Sequence, residues 1–172
     1  KNAVKLTPKA PEARMLLGKA YLELGNYISA EKELSKAVEL GIELDQIAVP
    51  FIQVMSKMNE YDEVYRFVDE VSGINEEQYI IVLTFAGISA INQNDMAKAT
   101  DYLHQAISLN ANSAYSTLAE GYLNYLNNKP AESLAFSQKL ISASPDITEA
   151  LLLEGYALME LKQFTEARQS FT

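Results

Sequence analysis

The sequence predicts an all-α fold, a solenoid of antiparallel helix pairs, and three observations predict it. Glycine recurs at Gly18, Gly87, Gly121 and Gly155, with gaps of 69, 34 and 34 residues. Alanine keeps the same step: Ala30, Ala99 and Ala167 are separated by 69 and 68, and Ala3, Ala37 and Ala106 by 34 and 69. Pro8 and Pro145, 137 residues apart, fall within one residue of four such steps. Several residue types sharing one period mark an internal repeat, and a period of this length suits a two-helix unit that stacks on its neighbours.

The period divides the chain into copies at 11–44, 45–79, 80–113, 114–147 and 148–172. A leading stretch, 1–10, fits the tail of an earlier copy, with Ala3 and Pro8 in phase. In copy one, Leu17, Gly18 and Tyr21 lie on the first helix, and Ala30, Leu34 and Ala37 on the second. Gly25-Asn26 closes the first helix, because glycine supplies a left-handed residue at a helix C-terminus. A glycine inside a helix, as at position 18, costs about 1 kcal/mol relative to alanine. Close crossing of the paired helices offsets that cost, with Gly18 and Ala30 as the expected contact points and Tyr21 and Leu34 beside them.

Copy two departs from the pattern. Ile52 stands in the glycine's place, and Val64, Val68 and Val71 replace small or aromatic residues. Pro50 falls within its first helix, where a missing backbone donor is expected to kink it. Copy three restores Gly87, Ala99 and Ala106, and copy four places Ser133, Ser137 and Leu140 on its second helix. Copy five stops at Thr172 inside its second helix, so the chain is expected to be a window on a longer array. The turns within pairs are expected at Gly25-Asn26, Asn59-Glu60, Asn94-Asp95, Asn128-Lys129 and Lys162-Gln163.

Composition narrows the function. The 172 residues are 48% hydrophobic and 22% charged, which suits a real core rather than disorder. A net charge of -9 argues against nucleic acid, whose binding needs Lys and Arg to neutralise phosphates. There is no cysteine, so disulfides, thiolate catalysis and Cys-based zinc sites are excluded. No apolar run approaches the roughly 18 residues of a membrane span, so no membrane contact is expected of this segment. The chain opens at Lys1 without Met, as expected of a processed or trimmed N-terminus.

No constellation of catalytic groups emerges, and neither a cofactor nor a metal is expected. His104 is the sole histidine and falls beside inward Leu103, where solvent exposure is expected. The acidic pairs Asp62-Glu63, Asp69-Glu70 and Glu76-Glu77 diverge by about 100° on a helix and do not converge on a substrate. The stretch 92–95, "NQND", has calcium-loop residue types but lacks the glycine and the distal glutamate, so it is assigned as a turn.

The order glycine, two helical turns, loop, alanine, large apolar residue, alanine, as in "PEARMLLGKAYLELGNYISAEKELSKAVEL", resembles the tetratricopeptide repeat (TPR) family over essentially the whole chain. The resemblance implies a right-handed superhelix whose first helices line a concave groove that docks proteins or peptides. Taking Pro11 as position 1, groove positions 5, 9 and 12 hold Met15, Lys19 and Leu22, then Val49, Gln53 and Ser56, then Thr84, Ile88 and Ile91. Copies four and five supply Leu118, Tyr122 and Tyr125, and Leu152, Tyr156 and Met159, with Tyr115 extending the stripe. The candidate partner-binding residues are therefore Lys19, Gln53, Ile88, Tyr115, Leu118, Tyr122, Tyr125, Leu152, Tyr156 and Met159. Tyrosine joins apolar area to a polar tip and suits recognition, but the same side chains could equally pack on the next copy. Some family members clamp a terminal carboxylate with Lys, Asn and Arg on successive first helices. Here Lys19, Gln53 and Lys57 are followed by Thr84 and Phe85, so that pattern is incomplete.

The phrases "GNYISAEKELSKAVELG" and "LDQIAVPFIQVMSKMNEYDEV" are similar to bacterial envelope TPR lipoproteins linked to exosortase and exopolysaccharide systems. That similarity implies a periplasmic or outer-membrane-anchored array, with the cytoplasm as the alternative location. Two functions remain open: a non-catalytic scaffold that binds protein partners in its groove, or a spacer whose groove residues serve packing. A regulatory module of a larger enzyme is a third. The apolar ends, with Ala3, Val4 and Leu6 at one and Ala167 and Phe171 at the other, are expected to be covered by end-to-end self-association.

Overall fold

A computed structural model describes residues 10–171, so Ala3, Val4, Leu6, Pro8 and Thr172 lie outside the described residues. The described residues form ten helices and no strands. They are α1 (Pro11–Glu23), α2 (Tyr27–Glu39), α3 (Leu44–Lys57), α4 (Tyr61–Glu70), α5 (Glu76–Asn92), α6 (Met96–Leu109), α7 (Ala114–Leu126), α8 (Pro130–Ala143), α9 (Glu149–Glu160) and α10 (Phe164–Ser170).

The helices stop where the turn chemistry requires. The residue after each odd-numbered helix's C-cap has a positive φ: Gly25 in the first pair of helices, Asn59, Asn94 and Asn128 in the next three, but Lys162 in the last. Asparagine is among the few side chains that tolerate this left-handed region. The following amide then donates back to a carbonyl five residues earlier: Asn26 to Tyr21, Glu60 to Met55, Asp95 to Ala90, Lys129 to Asn124 and Gln163 to Leu158, at 2.9–3.0 Å. This cap satisfies carbonyls the helix itself leaves free. The expected turn positions match it. Helix starts are equally local. Pro11 and Pro130 open α1 and α8, where a missing N–H costs nothing. Asn26 and Asp95 accept from the amides of Ser29 and Lys98, and Asn75 with Gln78 forms a reciprocal capping box. That box starts α5 at Glu76, ahead of the boundary at 80 read from the repeat phase.

Odd-numbered helices form one row: α1 packs on α3, α3 on α5, α5 on α7 and α7 on α9. Even-numbered helices form a second row, and each of α2, α4, α6 and α8 wedges between two successive members of the first. Among the described residues the backbones of the second row stay apart from one another, and its members meet through side chains, as where the Tyr65 ring of α4 stacks on Tyr102 of α6 at 5.9 Å and lies under Lys98 Nζ. Side chains with no exposed surface run along the seam between the rows, from Leu34 through Ile47, Ile52, Val64, Leu83 and Leu103 to Leu153. Copy two forms its pair despite its departures. Ile52 and Val64 are fully buried where the glycine and alanine of other copies stand, and α3 runs through Pro50.

The contact at Gly18 differs from expectation. A β-carbon there would meet Leu34, with Cδ2 at 2.6 Å and Cγ at 2.7 Å, rather than Ala30. Gly87 receives Leu103 in the same way, at 2.7 Å. At Gly121 the nearest atom belongs to the next copy: Leu153 Cδ2 at 2.6 Å, with Phe136 Cβ of the paired helix at 3.2 Å.

Candidate interaction groove

The inner row carries all ten candidate residues, but it does not present them as one stripe. Leu118 and Tyr122 are 1% exposed and Ile88 is 8% exposed. They sit in the core cluster with Leu83, Ala119 and Leu153, so their expected role at the surface is corrected to one in packing. The cause is the close stacking of α5, α7 and α9. Helix α5 is buried from Val82 through Ala90, and Gly121 lets Leu153 close over α7. The Tyr122 hydroxyl then donates to the Glu149 carbonyl at 3.4 Å.

Lys19, Gln53, Tyr115, Tyr125, Leu152 and Tyr156 are half-buried, and Met159 is exposed. Tyr125 and Tyr156 meet ring to ring at 6.0 Å, and Tyr156 meets Phe171 at 5.8 Å, so this end of the row is an aromatic cluster. Tilted ring pairs at such distances contribute about 0.5–1.5 kcal/mol beyond their buried area.

The open part of the row lies at the other end. A cavity of about 250 Å³ is lined by Leu22, Glu23, Gly25 and Tyr27 of the first copy, Gln53 and Lys57 of α3, and Asp146, Thr148 and Glu149 at the start of α9. A neighbouring cavity of about 280 Å³ shares Leu22, Glu23 and Gln53 and adds Lys19, Asp45 and Val49. The two make one depression along α1 and α3, with the α8–α9 connection as its far wall. The array thus curls far enough to bring the first copy opposite the fifth.

One ion pair spans this depression. Lys57 Nζ lies 2.8 Å from Glu149 Oε1, although α3 and α9 make no backbone contact. The glutamate side chain is 6% exposed and the lysine side chain 28%. Glu149 also occupies the first turn of α9, where the helix dipole favours a carboxylate. Its charge reaches two tyrosines. Burial first, and the Glu149 carboxylate next, push the Tyr115 and Tyr122 phenols above their ordinary range. The Gln53 side chain lies in hydrogen-bonding reach of the Tyr115 hydroxyl and opposes that shift.

Sequence reading placed Lys57 in the groove but missed Glu149, which lies 92 residues away. Its one signal is an acidic residue in the first turn of a helix. His104 is exposed on α6. No three His, Asp or Glu side chains come together as metal ligands among the described residues, and no described helix is long and apolar enough to cross a membrane.

Comparison with known proteins adds a family match for the first copy. Residues 11–40 match the tetratricopeptide repeat model. No curated protein matches the sequence. Solved structures match the fold along nearly all of it. YrrB, described as a TPR protein with an unusual peptide-binding site, superposes with a TM-score of 0.54 at 15% identity, over 98% of this chain and 87% of that one. PilF of Pseudomonas aeruginosa gives 0.56 at 21% identity, over 95% and 74%. The MamA protein gives 0.50 at 15% identity, over 94% and 87%. At these identities the likeness is one of fold. Residues 11–40 are a tetratricopeptide repeat, and the fold of the chain is the solenoid that tetratricopeptide repeats build.

Proposed function

We propose that the chain is a protein-interaction scaffold that takes an extended peptide segment in the depression along α1 and α3. The observation that carries this reading is the pair of joined cavities sharing Leu22, Glu23 and Gln53. They give a concave, solvent-open surface lined mainly by charged and polar side chains, with Leu22, Val49 and Pro50 as its apolar patches, and concavity with a few placed polar groups is the general form of a binding cleft. Lys19 and Gln53 belong to this mouth, while Tyr115, Tyr125, Leu152, Tyr156 and Met159 extend along the inner row toward the other end. The likeness of fold to YrrB, described as having a peptide-binding site, supports peptide binding as the mode. Placement in a bacterial envelope assembly, for exopolysaccharide export or protein sorting, rests on the sequence phrases quoted above alone.

The test is to pan a displayed peptide library against the protein and map the selected peptides by amide chemical-shift changes. Shifts clustered on Leu22, Gln53 and Lys57 support the proposal. Shifts confined to the outer row, for instance around Lys32 and His104, or failure to select any peptide, overturn it.

A spacer role is favoured for the C-terminal half by one observation, the burial of Leu118 and Tyr122 between inner helices. In that half the large side chains hold copies together. Both roles fit in one array, with docking at one end and stiffness at the other.

A further inference from the structure

We propose that the cavity between the first and fifth copies is a subsite for a basic side chain of the bound segment, an arginine, with Glu149 as its acceptor and Lys57 as its intramolecular stand-in. This rests on the groove reading above and gives the partner a chemistry.

The carboxylate is fixed and the ammonium is not. Glu149 is held on the first turn of α9 with 6% of its side chain exposed, and its backbone carbonyl receives the Tyr122 hydroxyl. Lys57 ends α3 on a long stem, is 28% exposed, and can swing its charge into water. The cavity therefore already holds a cation against a buried anion, and the cation is the exchangeable member. A guest carboxylate meets the opposite situation. It would have to displace Glu149 from Lys57 while facing Glu23 and Asp146, which line the same walls.

Arginine fits better than lysine. Its planar fork offers several donors at once and can bridge Glu149 to Asp146 or Glu23, which a single ammonium does less well. Leu22 lines the cavity for the methylene stem. Tyr27 offers a ring on which a guanidinium stacks.

The experiment titrates N-acetyl-argininamide into the protein, reads amide shifts near Tyr27, Lys57 and Glu149, and uses N-acetyl-glutamate as the opposite-charge probe. In Lys57→Met the stand-in is gone and the acceptor is free, so arginine half-saturation should fall roughly three- to tenfold. Glu149→Gln should abolish the shifts. Asp146→Asn, at an exposed position, should weaken them and keeps the test valid if Glu149→Gln does not fold. Glutamate binding as well as arginine, or Lys57→Met binding arginine no better than the parent, overturns the subsite. Failure here is separable from failure of the groove. Library peptides that map to Gln53 yet carry no basic residue would leave the groove standing and remove the subsite.

Discussion

Leu34 lies directly across Gly18, with its Cδ2 2.6 Å from where a β-carbon on residue 18 would stand. Leu34 has no exposed surface, and its backbone nitrogen closes the same space at 3.2 Å. Gly18→Ala gains about 1 kcal/mol in helix propensity but forces a buried leucine to move, an overpacking that costs about 1–3 kcal/mol. Net destabilisation is expected at Gly18, and at Gly87 against Leu103. At Gly155 the atoms in the way belong to the Phe171 ring, which is 43% exposed and can rotate aside. Gly155→Ala should therefore be neutral or stabilising. Urea melts of the three variants check the ordering.

Lys162 occupies the turn position that glycine or asparagine holds in the other pairs, at a φ of 61°. A side chain with an ordinary Cβ pays roughly 1–2 kcal/mol in this region. Lys162→Asn keeps the cap and removes part of that strain. It should raise the midpoint of thermal unfolding, whereas Asn94→Lys should lower it.

Two buried serines should respond in opposite directions. Ser89 and Ser56 share a hydrogen bond of 2.9 Å between α5 and α3. Ser89→Ala leaves the Ser56 hydroxyl without its partner, a loss of about 1–3 kcal/mol. The Ser133 hydroxyl is fully buried with no hydrogen-bond partner. Ser133→Ala removes an uncompensated polar group and should stabilise by about 1 kcal/mol. Denaturation midpoints at constant m-value decide both.

Alkaline pH should weaken the fold. Burial, followed by the Asp95 charge, pushes the Tyr65 phenol up to about 12 from its ordinary 10.0. Burial raises Tyr102, Tyr115, Tyr122 and Tyr125 as well. The unfolded chain releases these protons near pH 10 while the folded chain keeps them, so the unfolded state binds fewer protons there. Stability held by the neutral phenols is complete below pH 10 and is lost as the pH rises through about 12. Melting temperatures from pH 8 to 12 should stay level and then drop. The drop should coincide with late phenolate absorbance, and Tyr65→Phe should lessen it.

What the sequence disclosed was local. Gly25, Asn59, Asn94 and Asn128 mark turns because one residue's φ decides them, and the period carries that decision along the chain. Lys162 was placed by period alone, since its side chain argues against the conformation it adopts. The groove was less legible. Whether Tyr122 faces solvent depends on how near α9 comes to α7, which depends on Leu153 seating over Gly121. That contact joins two copies and leaves no mark in either one's pattern. Glu149 was hidden for the same reason: its pairing with Lys57 follows from the accumulated curl of three intervening steps.

Among the described residues the outer helices meet through side chains such as Tyr65 and Tyr102, with their backbones apart, while the inner helices are packed in series. In mechanical terms the array has its neutral axis in the inner row, like a hinge strip with lightly joined slats on its back. Fanning the slats parts side-chain contacts such as Tyr65 against Tyr102 and Lys98 but no backbone packing, so curvature is the softer coordinate. Lengthening the inner row separates α3 from α5 and α5 from α7 and exposes the apolar faces between them, so extension is the stiff one. Force applied at its two ends should therefore first unroll the strip at low load, parting Lys57 from Glu149, before any helix pair yields.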